Sequence, residues 1–473
     1  MHNGSMLTRT LSLLLPLALL LAPLPSAAEI PSSLVNGLKP TVVNIEVSVQ
    51  HGLNSEAPGK HTGTGFIVDG KRGIIATNRH VVGTSPGPIK IVFEDGQTAQ
   101  ARRWHYDSWH DFAFIRLEPV DKTWGLPQVR LGDSRQLKEQ DDVVMIGNND
   151  VQEYSIKFGK AANLHLCRGN RHTATIQTTF DRAGGSSGSP VFDAKGEVVA
   201  VHFSGTDTTS FEMRVEYIKD ALAQLLESGG VRRGDVGLDL DTMLVSDASK
   251  HFRFPPELAS KVAALRKDLK RVAYVEQTIP RSAAAAKLRA GDIVLTADGQ
   301  WIGDDVHLFD RIVDSKAGGK VSLAVARAGR RIDVDLPVAD AEKQKIRTFA
   351  LFAGGTFHDV TPEQRNSYNI SDDGVFLTQA EKGSSMAGLG REGSHTKYII
   401  LLEGMNGSPI RDLDSFLDAA AGTKDGDQIY VSVEDRWVTQ STIQARPVRL
   451  DLEYHPLKVF DWSDKDLEWV ARR

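Results

Sequence analysis

Between Pro40 and about Val201 the chain repeats one pattern: a short run rich in β-branched and aromatic residues, then a turn cluster. Val42-Val-Asn-Ile-Glu-Val-Ser-Val, Gly65-Phe-Ile-Val, Ile74-Ile-Ala-Thr, Ile89-Lys-Ile-Val-Phe, Phe112-Ala-Phe-Ile-Arg-Leu, Val143-Val-Met-Ile and Glu197-Val-Val-Ala-Val are such runs. Asp69-Gly70, Asp95-Gly96 and Lys195-Gly196 punctuate them. Short strands at this spacing restrict the segment to an all-β barrel or sandwich. Tyr217 to Glu227 then changes to helical periodicity and stops at Gly229-Gly230, which places a domain boundary near residue 230.

Downstream, two stretches resemble each other. Leu288-Arg-Ala-Gly-Asp-Ile-Val-Leu-Thr-Ala-Asp-Gly-Gln-Trp-Ile-Gly, followed by Val306-His-Leu-Phe-Asp-Arg-Ile, has a counterpart in Tyr398-Ile-Ile-Leu-Leu-Glu-Gly-Met-Asn-Gly-Ser-Pro-Ile-Arg, followed by Leu413-Asp-Ser-Phe-Leu. The second copy has a longer turn before its central strand. Two copies of a unit of about 100 residues make tandem modules, since a solenoid needs at least ~3 repeats of about 20 to 50 residues. A chain of 473 residues has room for about three domains of ~150 residues. Net charge is −5, with acidic and basic residues mixed throughout, which argues against nucleic-acid binding. The single cysteine, Cys167, excludes an internal disulfide and any metal site built from several thiolates. It reads as a small buried side chain.

At the N-terminus, Arg9 precedes Leu11 to Leu24, a mostly apolar stretch interrupted by Pro16 and Pro23, and Ser26-Ala27-Ala28 follows. This order reads as a signal peptide over residues 1–28, cut near Ala28, and as too short for an integral membrane anchor. Position 29 is Glu rather than the cysteine of a lipoprotein. The expected location is a bacterial periplasm.

Three motifs carry chemistry. Ala76-Thr-Asn-Arg-His-Val-Val places His80 where a strand closes, Asp111-Phe-Ala-Phe-Ile-Arg-Leu places an acid at the mouth of a strand, and Gly184-Gly-Ser-Ser-Gly-Ser-Pro-Val-Phe is a glycine-rich turn leading into one. Peptide hydrolysis needs a nucleophile, a base, a group orienting the base, and amide donors for the oxyanion. Each motif alone is common, but His80, Asp111 and Ser187 follow the order of the chymotrypsin-like β-barrels. Gly184-x-Ser186-x-Gly188 also fits a nucleophile elbow with Ser186 as nucleophile, but that fold puts its acid and histidine after the serine.

Together with the tandem modules, these motifs resemble the HtrA/Deg family of serine proteases. The resemblance implies a mainly β fold: a chymotrypsin-like double β-barrel protease domain followed by two PDZ domains of α+β type. The expected boundaries are 29–230 for the protease domain, 231–342 and 343–450 for the PDZ domains, and 451–473 for a tail that packs or frays. Carried over by motif, His80 is the general base, Asp111 its orienting partner and Ser187 the nucleophile. Gly185 and Ser187 supply the oxyanion-hole N–H groups. The family motif has Asn and Gly where this chain has Ser186 and Ser189; only Ser187 is followed at once by Gly and three residues later by Pro.

Substrate contacts follow the same resemblance. Asp181 stands six residues before Ser187, where trypsin places the base of its primary pocket, which would favour Lys or Arg; the family norm is a small aliphatic side chain. Val201-His202-Phe203 is the expected edge strand for substrate backbone. Arg233-Gly-Asp-Val236-Gly237-Leu238 resembles the carboxylate-binding loop of HtrA-type PDZ domains, and Ser282-Ala-Ala-Ala-Ala-Lys-Leu-Arg-Ala-Gly-Asp-Ile-Val-Leu a PDZ signature. Gly354-Gly355 is the candidate loop of the second copy. Asn78 and Arg79 read as structural, and Leu258 to Val272 as an amphipathic helix inserted in the first PDZ domain. His105 and His110 lack a His-Glu-x-x-His frame, so neither a metal nor a cofactor is expected. The expected function is ATP-independent degradation of misfolded proteins, captured through their C-termini by a homo-oligomer built on a trimer. The competing class is a PDZ-based chaperone or scaffold with a latent protease domain.

Overall fold

The computed structural model describes residues 30–472 apart from 55, 150–151, 170, 182–183, 207, 266–269, 390–398 and 438–439. The expected signal peptide and the longer turn around Arg391 lie outside these residues.

The alternating apolar runs close into two barrels. The strands Val42–Val49, Gly59–Asp69, Ile74–Thr77, Ile89–Val92, Thr98–Asp107 and Phe112–Leu117 form the first, closed antiparallel. The second joins Asp142–Asn149, Gln152–Arg168, Thr173–Thr178, Ser210–Arg214, Glu197–Gly205 and Pro190–Phe192, and closes because the last strand pairs with both the first and Glu197–Gly205. Phe66, Phe112, Phe114 and Phe192 meet in the buried layer between the barrels. Tyr217, Ile218, Ala221 and Leu225 of the helix Glu216–Ser228 pack onto that layer, and Gly229 ends the helix at φ 78°.

The first repeat folds as a sheet in the order Leu238–Leu244, Arg271–Thr278, Ile293–Ala297, Lys320–Arg327, Arg330–Pro337, with the helix Val306–Ser315 against it. Among the described residues of the amphipathic stretch expected from Leu258 to Val272, the helix Pro256–Leu265 covers the first part, whereas Arg271–Thr278 is a strand, its Val272, Ala273 and Val275 buried in the sheet. In the second repeat the tail joins the sheet. Lys458–Ser463 pairs with Thr348–Phe352, and Glu468–Ala471 pairs with Lys458–Ser463. Phe349 stacks on Phe460 at 4.8 Å with Trp469 edge-on at 4.9 Å.

Candidate active site

His80 lies in the single turn Arg79–Val82 that follows Ile74–Thr77, and Asp111 immediately precedes Phe112–Leu117. Because these two strands pair, Thr77 beside Ala113, the two side chains meet at one end of the first barrel. Asp111 holds His80 at two points: Oδ1 accepts the backbone N–H at 2.9 Å, and Oδ2 lies 2.6 Å from Nδ1. The His80 side chain keeps 42% of its surface exposed while the Asp111 side chain keeps 11%. Partial burial works against a charge on His80, but the Asp111 carboxylate outweighs it and raises the imidazole above its usual value. Burial likewise disfavours the Asp111 carboxylate, yet His80 and then Arg79 hold it below the usual range.

Ser187 comes from the second barrel, in the loop before Pro190–Phe192. Thr64 of the first barrel clamps that loop. Its N–H donates to the Ser187 carbonyl at 2.9 Å, its hydroxyl donates to the Gly185 carbonyl at 3.0 Å, and the hydroxyl accepts the Asn148 N–H at 2.9 Å. Gly188 has φ 84°, and a Cβ there would lie 2.1 Å from the Thr64 carbonyl oxygen, so the close approach requires glycine. Among the described residues the N–H groups of Gly185 and Ser187 donate to nothing, and no hydrogen bond joins Ser187 Oγ to His80. Thr64 and Asn148 escaped sequence reasoning; Gly63-Thr-Gly65 was the available signal.

The other expected contacts fall as follows. Asp181 is exposed, and its carbonyl accepts the Lys157 ammonium at 2.6 Å. Val201 is fully buried and pairs with Pro190 and Met213. His202 is buried, its backbone engaged by Gly188 and Ser189 and its ring held 2.9 Å from Glu212 Oε2. Phe203 packs half-buried on the inter-barrel layer, and among the described residues no strand pairs with the outer edge of Phe203–Gly205.

In the first repeat, Val236 and Leu238 are buried in the core. Gly237, at φ 76°, donates its N–H to Asp235 Oδ1, and its carbonyl accepts the Ser282 hydroxyl. A peptide adding to the strand Leu238–Leu244 would use the edge away from Arg271–Thr278. The protease hairpin covers that edge. Arg171 donates to the Leu238 carbonyl at 2.8 Å, Cys167 Sγ to that of Leu240 at 3.2 Å, and Thr242 Oγ1 donates to the His165 carbonyl at 3.0 Å. Cys167 is thus part of the apolar core of the repeat, beside Val236 and Leu238. Gly354 is the counterpart of Gly237: at φ 80° a Cβ would lie 2.1 Å from Ser384 Cβ, as one at Gly237 would from Ser282 Cβ. Its following strand, Gly355–Asp359, has Val375–Ala380 on one side and Thr348–Phe352 on the other, so both edges are taken.

Double barrel, clamped serine loop and two sheet modules with glycine loops define a trypsin-like serine protease domain carrying two PDZ domains. Family models agree: a trypsin-like peptidase domain matches residues 63–201, a PDZ domain 263–338 and a PDZ-like domain 346–426. Together the three matches give the domain content that the HtrA/Deg resemblance implies, a trypsin-like peptidase domain followed by two PDZ-type modules. It is 26% identical over 409 residues, 83% of this chain, to the pro-apoptotic serine protease NMA111 of Meyerozyma guilliermondii, and 25% identical over 450 residues, 91% of this chain, to that of Aspergillus clavatus. It spans 40% and 42% of the length of these two relatives. Among solved structures it is similar to an HtrA-type protease AlgW with tripeptide (22% identity, TM-score 0.47, 65% of this chain and 96% of that one) and to the serine endoprotease from Yersinia pestis (18%, 0.43, 65% and 97%). One expectation is corrected: these curated relatives are fungal proteins rather than exported bacterial ones, and the periplasmic location does not stand.

Proposed function

We propose that this chain is an endopeptidase that cuts unfolded or damaged proteins without ATP, with Ser187 as nucleophile, His80 as general base and Asp111 as its orienting partner. The observation that carries the reading is the two-point hold of Asp111 on His80, combined with a serine loop whose Gly185 and Ser187 N–H groups have no acceptor among the described residues. His80 takes the Ser187 hydroxyl proton as Oγ attacks the carbonyl and returns it to the leaving amine. Asp111 keeps the proton on Nδ1 and stabilises the imidazolium. The Gly185 and Ser187 N–H groups receive the oxyanion, each such donor contributing about 10²–10³ in rate. The unpaired edge at Phe203–Gly205 supports backbone pairing with substrates of many sequences. Asp181 is exposed, which supports an aliphatic rather than a basic primary preference.

Substrate C-termini reach the first PDZ domain in competition with the protease hairpin, and the active assembly is a trimer or a multiple of one. The domain limits 29–230, 231–342, 343–450 and 451–473 belong to this reading. The unmade Ser187–His80 hydrogen bond and the covered PDZ edge favour a resting form, which keeps the latent scaffold as the second reading. Digestion of an unfolded protein without ATP, beside Ser187→Ala, separates the two. Cleavage by the wild type alone supports the endopeptidase, and the residue before each cut reads the pocket. If neither cuts, with or without a C-terminal peptide, and both suppress aggregation, the scaffold reading replaces it.

A further inference from the structure

Arg79, next to the candidate base, reaches out of the protease domain. Its Nη2 lies 2.8 Å from Glu363 Oε1 on the helix Pro362–Tyr368 of the second PDZ domain, and its Nε lies 3.9 Å from Asp111 Oδ1. Both ends of this chain are shielded, with the Arg79 and Glu363 side chains 8% and 12% exposed. Nε is buried and has no hydrogen-bond acceptor among the described residues. The protease loop beside it is tied to the same module: Asn54 donates through its side chain to Glu363 Oε2 at 3.1 Å and through its backbone to His358 Nε2 at 3.0 Å, and Gly52 N–H donates to Gln379 Oε1 at 2.8 Å.

We propose that Arg79 is a positioning residue that couples docking of the second PDZ domain to the His80–Asp111 pair. Glu363 holds the guanidinium short of a direct bond to Asp111. The inference rests on the protease reading above. A guanidinium is always charged, and buried it needs a carboxylate. While Glu363 supplies one, Asp111 Oδ1 accepts the His80 N–H and Oδ2 stays on Nδ1. When the second PDZ domain moves away, Asp111 is the carboxylate left beside Arg79. A shift of about 1 Å in Nε then makes the bond, within ordinary hydrogen-bond reach. Arg79 would then compete with His80 for Asp111, removing the charge that stabilises the imidazolium. The other titratable groups facing Arg79 are Glu56, which accepts from Thr84 and Ser85, and Tyr106; burial disfavours the charge on Arg79, but Glu363, Asp111 and Glu56 together keep it fully protonated.

The test uses the full chain and compares Glu363→Gln, Arg79→Met and the double variant. The readouts are the pH profile of kcat/KM on a short peptide and the NMR titration of the low-field His80 Nδ1 proton, which needs no turnover. Glu363→Gln is expected to move the His80 titration down by about 0.5–1 pH unit and Arg79→Met to move it up by a similar amount. The double variant should follow Arg79→Met. Glu363→Gln should also lower kcat about 10-fold with KM unchanged. Glu363→Gln, at a domain interface, reports even where Arg79→Met fails to fold. Titrations that stay at the wild-type position, or that shift in the same direction in both single variants, overturn the coupling. Absence of cleavage by the wild type overturns the protease reading instead and leaves the His80 titration to be read separately.

Discussion

Asp111 has φ 56°, a left-handed backbone that a non-glycine residue adopts only when its surroundings impose it. Here Arg79 N–H and the Asn78 side chain both donate to its carbonyl, at 3.1 and 3.0 Å. That geometry turns the carboxylate toward both the N–H and the ring of His80. Asp111→Asn keeps the shape and loses the charge, so kcat is expected to fall about 10⁴-fold, measured by steady-state kinetics on a peptide substrate. Because the native His80 is raised above its usual value, activity should fall as pH drops through a point above that value. In Asp111→Asn that limb should move to lower pH, a sign opposite to simple unfolding. His80 and Asp111 were legible in the sequence because each sits at a strand end with a local motif around it. Thr64 and Asn148 were not, since a threonine and an asparagine have no local signature for clamping a loop from another barrel.

The elements most affected by tertiary context are the PDZ strands. Leu238–Leu244 is the strand that follows the Gly237 loop, and the family resemblance implies a free edge there for a peptide. The structure fills that edge with His165, Cys167 and Arg171 of the protease domain, of which Cys167 was legible only as a small buried side chain. Cys167→Arg places a long charged side chain against Leu238 and Leu240, which the hairpin cannot seat. A labelled peptide ending in a free carboxylate should therefore bind this variant more tightly than wild type in fluorescence anisotropy; equal affinity would mean that the covered edge is not the binding edge. In the second PDZ domain the tail and Thr348–Phe352 extend the sheet on the matching side. The alternation in Lys458–Ser463 is too short and too charged to announce a strand without its partner.

Across the whole molecule, a buried ionic layer joins the protease domain to the first PDZ domain. Arg233 donates to Asp107 and pairs with Asp314, and Arg171 reaches Asp235 and Asp239 while lying 3.6 Å over the Trp109 ring. Asp310 accepts from Tyr217 at 2.7 Å and lies 2.9 Å from His172 Nε2. Burial opposes a charge on His172, but Asp310 and Asp239 outweigh it and push it up to about 9. Since this folded value lies above the unfolded one, its stabilisation is fully present below pH ~6.5 and is lost as pH rises through about 9, on the order of 3 kcal/mol in total. Burial pushes Asp314 up to about 7, which acts in the same direction, while His110, lowered to about 3 by burial, stays neutral across this range. Hydrogen exchange at Leu238–Leu244, corrected for the intrinsic pH effect, is expected to accelerate between pH 7 and 10, and less so in His172→Gln. An unchanged rate would mean that this layer does not hold the PDZ edge closed.

By itself the sequence determined an all-β first segment, the repeat of two downstream modules, and the motifs that make Ser187, His80 and Asp111 the candidate triad. Those properties are written in short windows: alternation that buries one face of a strand, glycines that permit left-handed turns, and motifs flanking each reactive group. Only the tertiary structure decided what those parts touch: that Thr64 clamps the Ser187 loop, that the protease hairpin closes the first PDZ edge, and that Glu363 reaches Arg79. Each of these joins residues far apart in the chain through at most a few polar contacts, and a buried charge or hydroxyl finds its partner only after the cores have packed and excluded water.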